Sequence, residues 1–314
     1  MPDVVTIGET MLRLTTPPGW ALEQTAYLLV DVAGAESNVA IALSRLGISS
    51  GWVSRLVDNP LGRRICNEIR AHGVDVSRVL WTSAERVGTY FVELGRAPRQ
   101  SRIIYDRAGS AITGINPDEV DWAYVQQARL VHLTGITPGL SPTCRALVAR
   151  ALDEAHRRGV QRSFDVNYRA RLWSPSDAAA ALSPLLVQMD LLISTAADAR
   201  SVFNISGSPA EIAAALQDRF AAQTVVVTDE GKAAAVRGGV REERDGYPVD
   251  TVDRIGAGDA FAAGFIRGFL AGNIGQGLEY GLALAALKHT FLGDTVWASE
   301  EDIQRLIAGQ DVWR

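Results

Sequence analysis

From about residue 110 onward the chain alternates short β-branched runs with Ala- and Leu-rich stretches of helical spacing. Residues 130–133, 161–166, 191–194 and 224–228 read as strands. Between them, 141–158, 176–189 and 209–221 read as helices, the first stopped by Gly159. A strand apolar on both faces belongs inside a sheet that helices cover on either side, so this order predicts βαβ units and a parallel sheet. Right-handed crossovers then put the connecting loops, and with them a ligand site, at the carboxyl ends of the strands.

Two stretches break the rhythm. Residues 11–32 carry Pro17-Pro18-Gly19 between alternating segments. Residues 87–108 read as a hairpin, with 87–92 and 102–105 flanking a polar turn over 96–101. Both predict a small β-sheet projecting from the body as a lid, with a decorated sheet edge as the alternative. No internal repeat, low-complexity tract or linker interrupts the chain. One α/β domain over 1–314, with a small lid from about 11–32 and 87–110, is the economical description.

Composition narrows the partners. With 314 residues, 47% hydrophobic and 21% charged, the chain has the profile of an ordinary globular protein. A formal charge of -5 argues against a general nucleic-acid binder, although local arginines still suit an anionic substrate. The lysines are Lys232 and Lys288; every other basic side chain of this kind is arginine. Cys66 and Cys144 have neither metal spacing nor a disulfide pattern. Val4 to Ile7 reads as a buried strand and not as a signal peptide, and no apolar stretch spans a bilayer. These features predict a cytoplasmic protein with no membrane and no nucleic-acid partner.

The segment Asp253-Arg254-Ile255-Gly256-Ala257-Gly258-Asp259 followed by Ala260 to Leu270 carries the chemistry. Small residues at 256–258 allow a tight turn, and the apolar run beyond it reads as a helix. Free N–H groups and the positive end of the dipole make such a helix start an anion site. Asp259 then stands where a carboxylate takes a hydroxyl proton while donors stabilise a moving phosphoryl group. The competing reading is an N-cap aspartate. Neither a Rossmann fingerprint nor a Walker A loop fits, which sets aside a nicotinamide oxidoreductase.

This segment resembles the C-terminal signature of the ribokinase-like (pfkB) carbohydrate kinases. Gly34-Ala35-Glu36-Ser37-Asn38 resembles their sugar-binding turn, Asp58-Asn59-Pro60-Leu61-Gly62 the loop that follows, and Ile7-Gly8-Glu9 their first strand. The resemblance runs along essentially the whole chain. It implies a ribokinase-like three-layer α/β/α sandwich with a mostly parallel central sheet and a small β-sheet lid. It also implies Asp259 as catalytic base, an anion hole at Gly256, Ala257 and Gly258, and sugar contacts over Gly34, Ala35, Glu36, Ser37 and Asn38. ATP and Mg²⁺ follow as cofactors, with room for a monovalent cation and for a homo-oligomer paired through the lid.

Further runs are similar to the 2-keto-3-deoxygluconate kinases: Asp165-Val166-Asn167-Tyr168-Arg169, Leu172-Trp173-Ser174-Pro175, Tyr105-Asp106-Arg107-Ala108-Gly109 and His132-Leu133-Thr134-Gly135. By that likeness Arg107 and Arg169 approach a substrate carboxylate, and Tyr90 and Tyr105 line the sugar pocket. A guanidinium fork suits a carboxylate, which a neutral sugar does not carry. The likeness further implies nucleotide contacts from Asn167, Thr195, Thr228, Gly231, Lys232 and Lys288.

Two places depart from the family pattern. Glu230 and Ala233 stand where glycines usually turn over the ATP phosphates. Thr195 and Asp198 stand where Asn-x-x-Glu organises the waters of Mg²⁺, leaving Asp198 as the metal-side residue. The expected function is ATP-dependent phosphorylation of a sugar acid, first of all 2-keto-3-deoxygluconate. The alternatives are a kinase of neutral fructose or ribose, and a non-catalytic sugar-binding protein on the same fold.

Overall fold

Four consecutive apolar or β-branched residues form β1 (Val4–Ile7), buried along its whole length. The chain leaves the main body for β2 (Met11–Thr15) and β3 (Leu29–Ala33), then returns through α1 (Ala35–Arg45) to β4 (Ser50–Val53), parallel to β1. A parallel ribbon of β5 (Arg55–Val57) and β6 (Leu80–Thr82) brackets α2 (Pro60–Ala71). The hairpin β7 (Thr89–Glu93) and β8 (Arg102–Asp106) follows, then the short α3 (Trp122–Val125). The computed structural model describes residues 1–96 and 98–309; Ala97 in the expected polar turn and residues 310–314 lie outside it.

The alternation read from the sequence continues as β9 (Leu130–Thr134), α4 (Pro142–Arg157), β10 (Gln161–Asp165) and α5 (Pro175–Leu182). It goes on through β11 (Leu191–Thr195), α6 (Ala196–Phe203), α7 (Pro209–Phe220) and β12 (Thr224–Asp229). Ser141 caps α4 by accepting from the Cys144 N–H at 3.0 Å, and Gly159 takes φ +69° beyond its end. The helix expected over 176–189 stops at Leu182. Pro184 has no N–H to return to the carbonyl of Ala180, so the turn cannot propagate.

The chain closes with β13 (Lys232–Arg237), β14 (Val240–Asp245), α8 (Ala257–Leu270), α9 (Ile274–His289) and α10 (Glu300–Ile307). The main sheet runs β14-β13-β12-β11-β10-β9-β1-β4. It is parallel from β12 to β4 and antiparallel only at the β13 and β14 edge. Leu147, Leu182 and Leu216 of α4, α5 and α7 pack on one face; Leu43, Phe265 and Leu278 of α1, α8 and α9 pack on the other. Three layers result. The segments that broke the rhythm form a separate four-stranded sheet, β3-β2-β7-β8. Among the described residues no helix is long and apolar enough to cross a membrane, and both cysteines are free and buried.

Candidate active site

Parallel strands finish on a common edge, and most of the residues singled out in the sequence gather there. Glu9 follows β1, Thr134 ends β9, Asp165 ends β10 and Thr195 ends β11. Thr195 and Thr228 are direct partners across β11 and β12.

The first turn of α8 faces the same edge. Gly256 precedes it with φ +87°, and a methyl group there would lie 2.1 Å from the Asp294 carbonyl oxygen, so only glycine fits. A methyl on Gly258 would meet nothing within 4 Å, which leaves open space over the helix start. The Ala257 N–H donates to the Arg254 carbonyl at 3.2 Å, so Gly258 and Asp259 supply the first-turn donors that have no carbonyl inside the helix. An anion is the natural occupant of that space.

Asp259 sits in this turn, 8% exposed, and its Oδ2 accepts from Asn38 Nδ2 at 2.7 Å. Burial pushes its carboxyl from 3.8 up to about 7, against the pull of the Asn38 bond; Asp294 and Glu36 add to the rise while Arg169 opposes it. That value suits a general base at neutral pH. Asn38 comes from α1, and its Oδ1 is buried without a hydrogen-bond partner.

Of the turn at 34–38, Asn38 makes the link to Asp259. Glu36 is turned inward, where it accepts from the hydroxyls of Thr134 at 2.8 Å and Thr137 at 2.7 Å. Burial pushes its carboxyl up. Ser37 accepts from Thr10 at 2.6 Å and donates to the Gly34 carbonyl at 3.0 Å. These two hold the turn together, with Glu36 Oε1 and Ser37 Oγ bonded inside the protein. Gly34 and Ala35 begin α1, and a methyl on Gly34 would lie 2.0 Å from the Glu9 carbonyl oxygen.

The arginines differ in their commitments. Arg107, one residue beyond β8 and not within it, donates from Nε to Glu9 Oε2 at 2.7 Å and from Nη2 to the same oxygen. Glu9, 4% exposed, also accepts from Ser110. Arg169 is exposed and, among the described residues, makes no ion pair. Its charge pulls down the carboxyls of Asp165, Asp198 and Asp259, so it looks into the same space. Arg171 donates to the Ile103 carbonyl of β8 at 2.7 Å and ties this loop to the small sheet.

Register puts Asp31, Arg13, Tyr90 and Tyr105 in one row on one face of the small sheet. Tyr90 stacks on Tyr105 with ring centroids 5.5 Å apart. The Tyr90 hydroxyl, expected at the sugar, donates instead to Asp294 Oδ1 at 2.6 Å. Arg13 is fully buried and donates to Asp294 Oδ1 at 2.6 Å, to Thr15 at 2.8 Å and to Asp253. Sequence reasoning missed Arg13, Glu9, Asp165 and Arg171. The signal for Arg13 was a charge between Leu12 and Leu14 in a short, mostly apolar strand.

On the nucleotide side, Glu230 at φ +39° and Gly231 at φ +85° form the two-residue tip of the β12–β13 hairpin. Two left-handed residues are what such a tip requires. Ala233 is buried in the sheet, which accounts for the missing second glycine. Lys232 is exposed and 3.6 Å from Asp245. Lys288, expected at the nucleotide, is corrected: it is wholly buried, and its ammonium is spent on the carbonyls of Asp253 and Phe291. Asn167 takes a left-handed φ of +39° immediately after β10, and its N–H donates to Asp165 Oδ1 at 3.1 Å. Strain of this kind concentrates at functional sites.

Thr195 caps α6 by accepting from the Asp198 N–H at 2.9 Å. Burial pushes the carboxyls of Asp198 and Asp165 up, and the charge of Asp198 pushes Asp165 further. Two neighbouring buried acids could hold Mg²⁺ in its usual mode, in which it keeps its waters and rests on one or two carboxylates plus phosphate. Among the described residues no group of three or more His, Cys, Asp or Glu is placed to hold a metal ion.

Residues 1–296 match the model of the pfkB family carbohydrate kinases. The chain belongs to this family. A 2-dehydro-3-deoxygalactonokinase of Haloferax volcanii is 43% identical over 311 residues, covering 98% of each chain. A 2-dehydro-3-deoxygluconokinase of Thermoproteus tenax is 34% identical over 300 residues, 94% of this chain and 90% of the other. Among solved structures, the 2-dehydro-3-deoxygluconokinase of Thermotoga maritima superposes with a TM-score of 0.93 at 35% identity, covering 98% of both chains. The three-layer body and small sheet are thus those of a pfkB carbohydrate kinase.

Proposed function

We propose that this pfkB kinase phosphorylates a 2-keto-3-deoxy sugar acid, either the gluconate or its galactonate epimer, with ATP as donor and Asp259 as general base. The observation that carries the reading is Asp259 itself: a buried carboxyl raised to about 7, inside the first turn of a helix whose start lies open. The names of the relatives supply the sugar acid.

Asn38 holds Asp259 through one side of its amide, and its unpartnered Oδ1 takes a hydroxyl of the sugar. Asp259 then accepts the proton of the attacking hydroxyl. The N–H groups of Gly258 and Asp259, with Gly256 setting the turn, stabilise charge that builds on the phosphoryl group. Arg169 and the remaining edge of Arg107 bind the substrate carboxylate, for which a neutral sugar offers no equivalent. The row Tyr90–Tyr105 closes the small sheet over the sugar and excludes water. Thr195, Thr228, Asn167 and Gly231 stand on the nucleotide side. Mg²⁺, when bound, neutralises phosphate charge, and Asp198 with Asp165 would orient its waters.

A coupled ATP assay over both keto-deoxy acids, fructose and ribose tests the substrate class. The acids are expected to be turned over in preference, and Arg169→Ala to cost them about tenfold or more in kcat/KM while sparing neutral sugars. Equal losses on acid and neutral substrates would remove the carboxylate assignment. Binding of sugar acid without turnover of any sugar would favour a non-catalytic protein.

A further inference from the structure

Lys288 has no part in the scheme above, yet it is the lysine the fold encloses completely. It lies in the last turn of α9, and its ammonium donates to the main-chain carbonyls of Asp253 and Phe291, each at 3.1 Å. Around it stand the carboxylates of Asp253 and Asp294 and the guanidinium of Arg13, which bonds both acids. Two positive charges therefore stand among the carboxylates of Asp253 and Asp294 in a buried space, with Asp259 close enough to act on the ammonium as well. Removing Lys288 would leave one carboxylate uncompensated there, a costly state in a dry interior.

The same contacts fix the approach to α8. Asp253 Oδ1 accepts from the Ile255 N–H at 3.0 Å, and its Oδ2 from the Gly293 N–H at 3.1 Å. Gly256, which follows, packs against the Asp294 carbonyl. In a chain whose other basic residues of this kind are arginine apart from Lys232, the choice of lysine here is informative. A compact ammonium with three donors fits between two carbonyls, and a planar guanidinium fork does not.

We infer that Lys288 is a tethered monovalent cation: a positioning residue whose ammonium fills a seat between two carbonyls, sets residues 253–256 and so aims the first turn of α8. The inference rests on the reading of α8 and Asp259 as the phosphoryl-transfer site. With the seat filled from within, turnover by the wild type needs no added K⁺ or ammonium.

The test is Lys288→Ala, which empties the seat. Its kcat should fall by about 10²-fold with little change in KM for the sugar acid, the scale of loss from a small misplacement of the catalytic groups. Ammonium or K⁺ should restore turnover where tetramethylammonium at equal ionic strength does not. The same ions should raise the Tm of Lys288→Ala without any substrate present, because they bind only the folded seat. The wild type should respond in neither assay. A folded Lys288→Ala with full kcat overturns the proposal. So does a folded, impaired variant that ammonium leaves unchanged in both turnover and Tm. If the wild type phosphorylates no sugar, the kinase reading fails, and the Tm response still decides the cation seat. If Lys288→Ala does not fold alone, refolding that requires ammonium or K⁺ supports the seat; failure to refold with either ion, or a wild-type kcat that rises with K⁺, overturns it.

Discussion

At Asp259, the proposed role as base and stability pull in opposite directions. Its carboxyl rises from 3.8 in the unfolded chain to about 7 in the fold. The folded state therefore keeps a proton that the unfolded chain has released. That contribution is complete below about pH 4 and is lost as the pH rises through about 7, above which the fold carries a buried charge. Asp259→Asn keeps the shape and the neutral state but cannot accept a proton. Its kcat should drop by about 10²–10⁴-fold, the usual contribution of a general base. Its Tm should exceed that of the wild type at pH 8 and approach it at pH 5. A Tm difference independent of pH would mean that Asp259 titrates near its ordinary value, and a variant with near-normal kcat would remove it as the base. Asn38 belongs to the same argument, since its amide is what keeps the carboxyl from rising further.

At the level of elements, the regular strands and helices were legible because their apolar periods are set by burial on the sheet. β9, β10, β11 and β12 begin at Leu130, Gln161, Leu191 and Thr224, where the sequence pattern places their starts. The end of α5 was misplaced because apolar Leu185, Leu186 and Val187 prolong the helical pattern past a proline that stops it. The short β5 and β6 gave no run long enough to notice. Motifs singled out candidates for the site, but partners that act through distant contacts were not legible. Glu9 meets Arg107 across 98 positions and Arg13 meets Asp294 across 281, separations that no local pattern encodes. The hairpin at 230–231 shows the remaining limit. Glu230 stands where the family pattern has a glycine, and the structure explains Glu230 and Gly231 by the left-handed tip they form. Glu230 is exposed, so solvent and salt screen its charge. Glu230→Gly should therefore change the Kd for Mg²⁺-ATP by less than about threefold at physiological ionic strength, as read by calorimetric titration. A much larger gain would show that the side chain lies against the phosphates.

Taken as a whole molecule, the kinase is a mostly parallel-sheet body with a small sheet seated on it, and the seat is polar. The inward row of the small sheet rests on Asp253 and Asp294, the same residues that lead into α8. Whatever holds the small sheet down therefore also holds the first turn of α8 in place. Arg13 is the central piece because, among the described residues, its side chain alone pairs with both carboxylates, and it does so without exposure to water. Tyr90 bonds only Asp294, which keeps its bond to Arg13 if the hydroxyl is removed. The two residues should consequently differ in what their loss costs. Arg13→Met leaves two buried carboxylates with a single cation, Lys288, between them, and should cost about 3–5 kcal/mol of unfolding free energy. Tyr90→Phe removes one hydrogen bond to a charged group and should cost about 1.5–3 kcal/mol. Urea unfolding of the wild type and both variants measures the difference directly. Arg13→Met should also lower kcat, since Asp253 loses the partner that holds the approach to α8, while Tyr90→Phe should act on KM more than on kcat. If Arg13→Met is no less stable than Tyr90→Phe and keeps its kcat, the two sheets are not joined through this network, and the small sheet sits on the body by apolar packing alone.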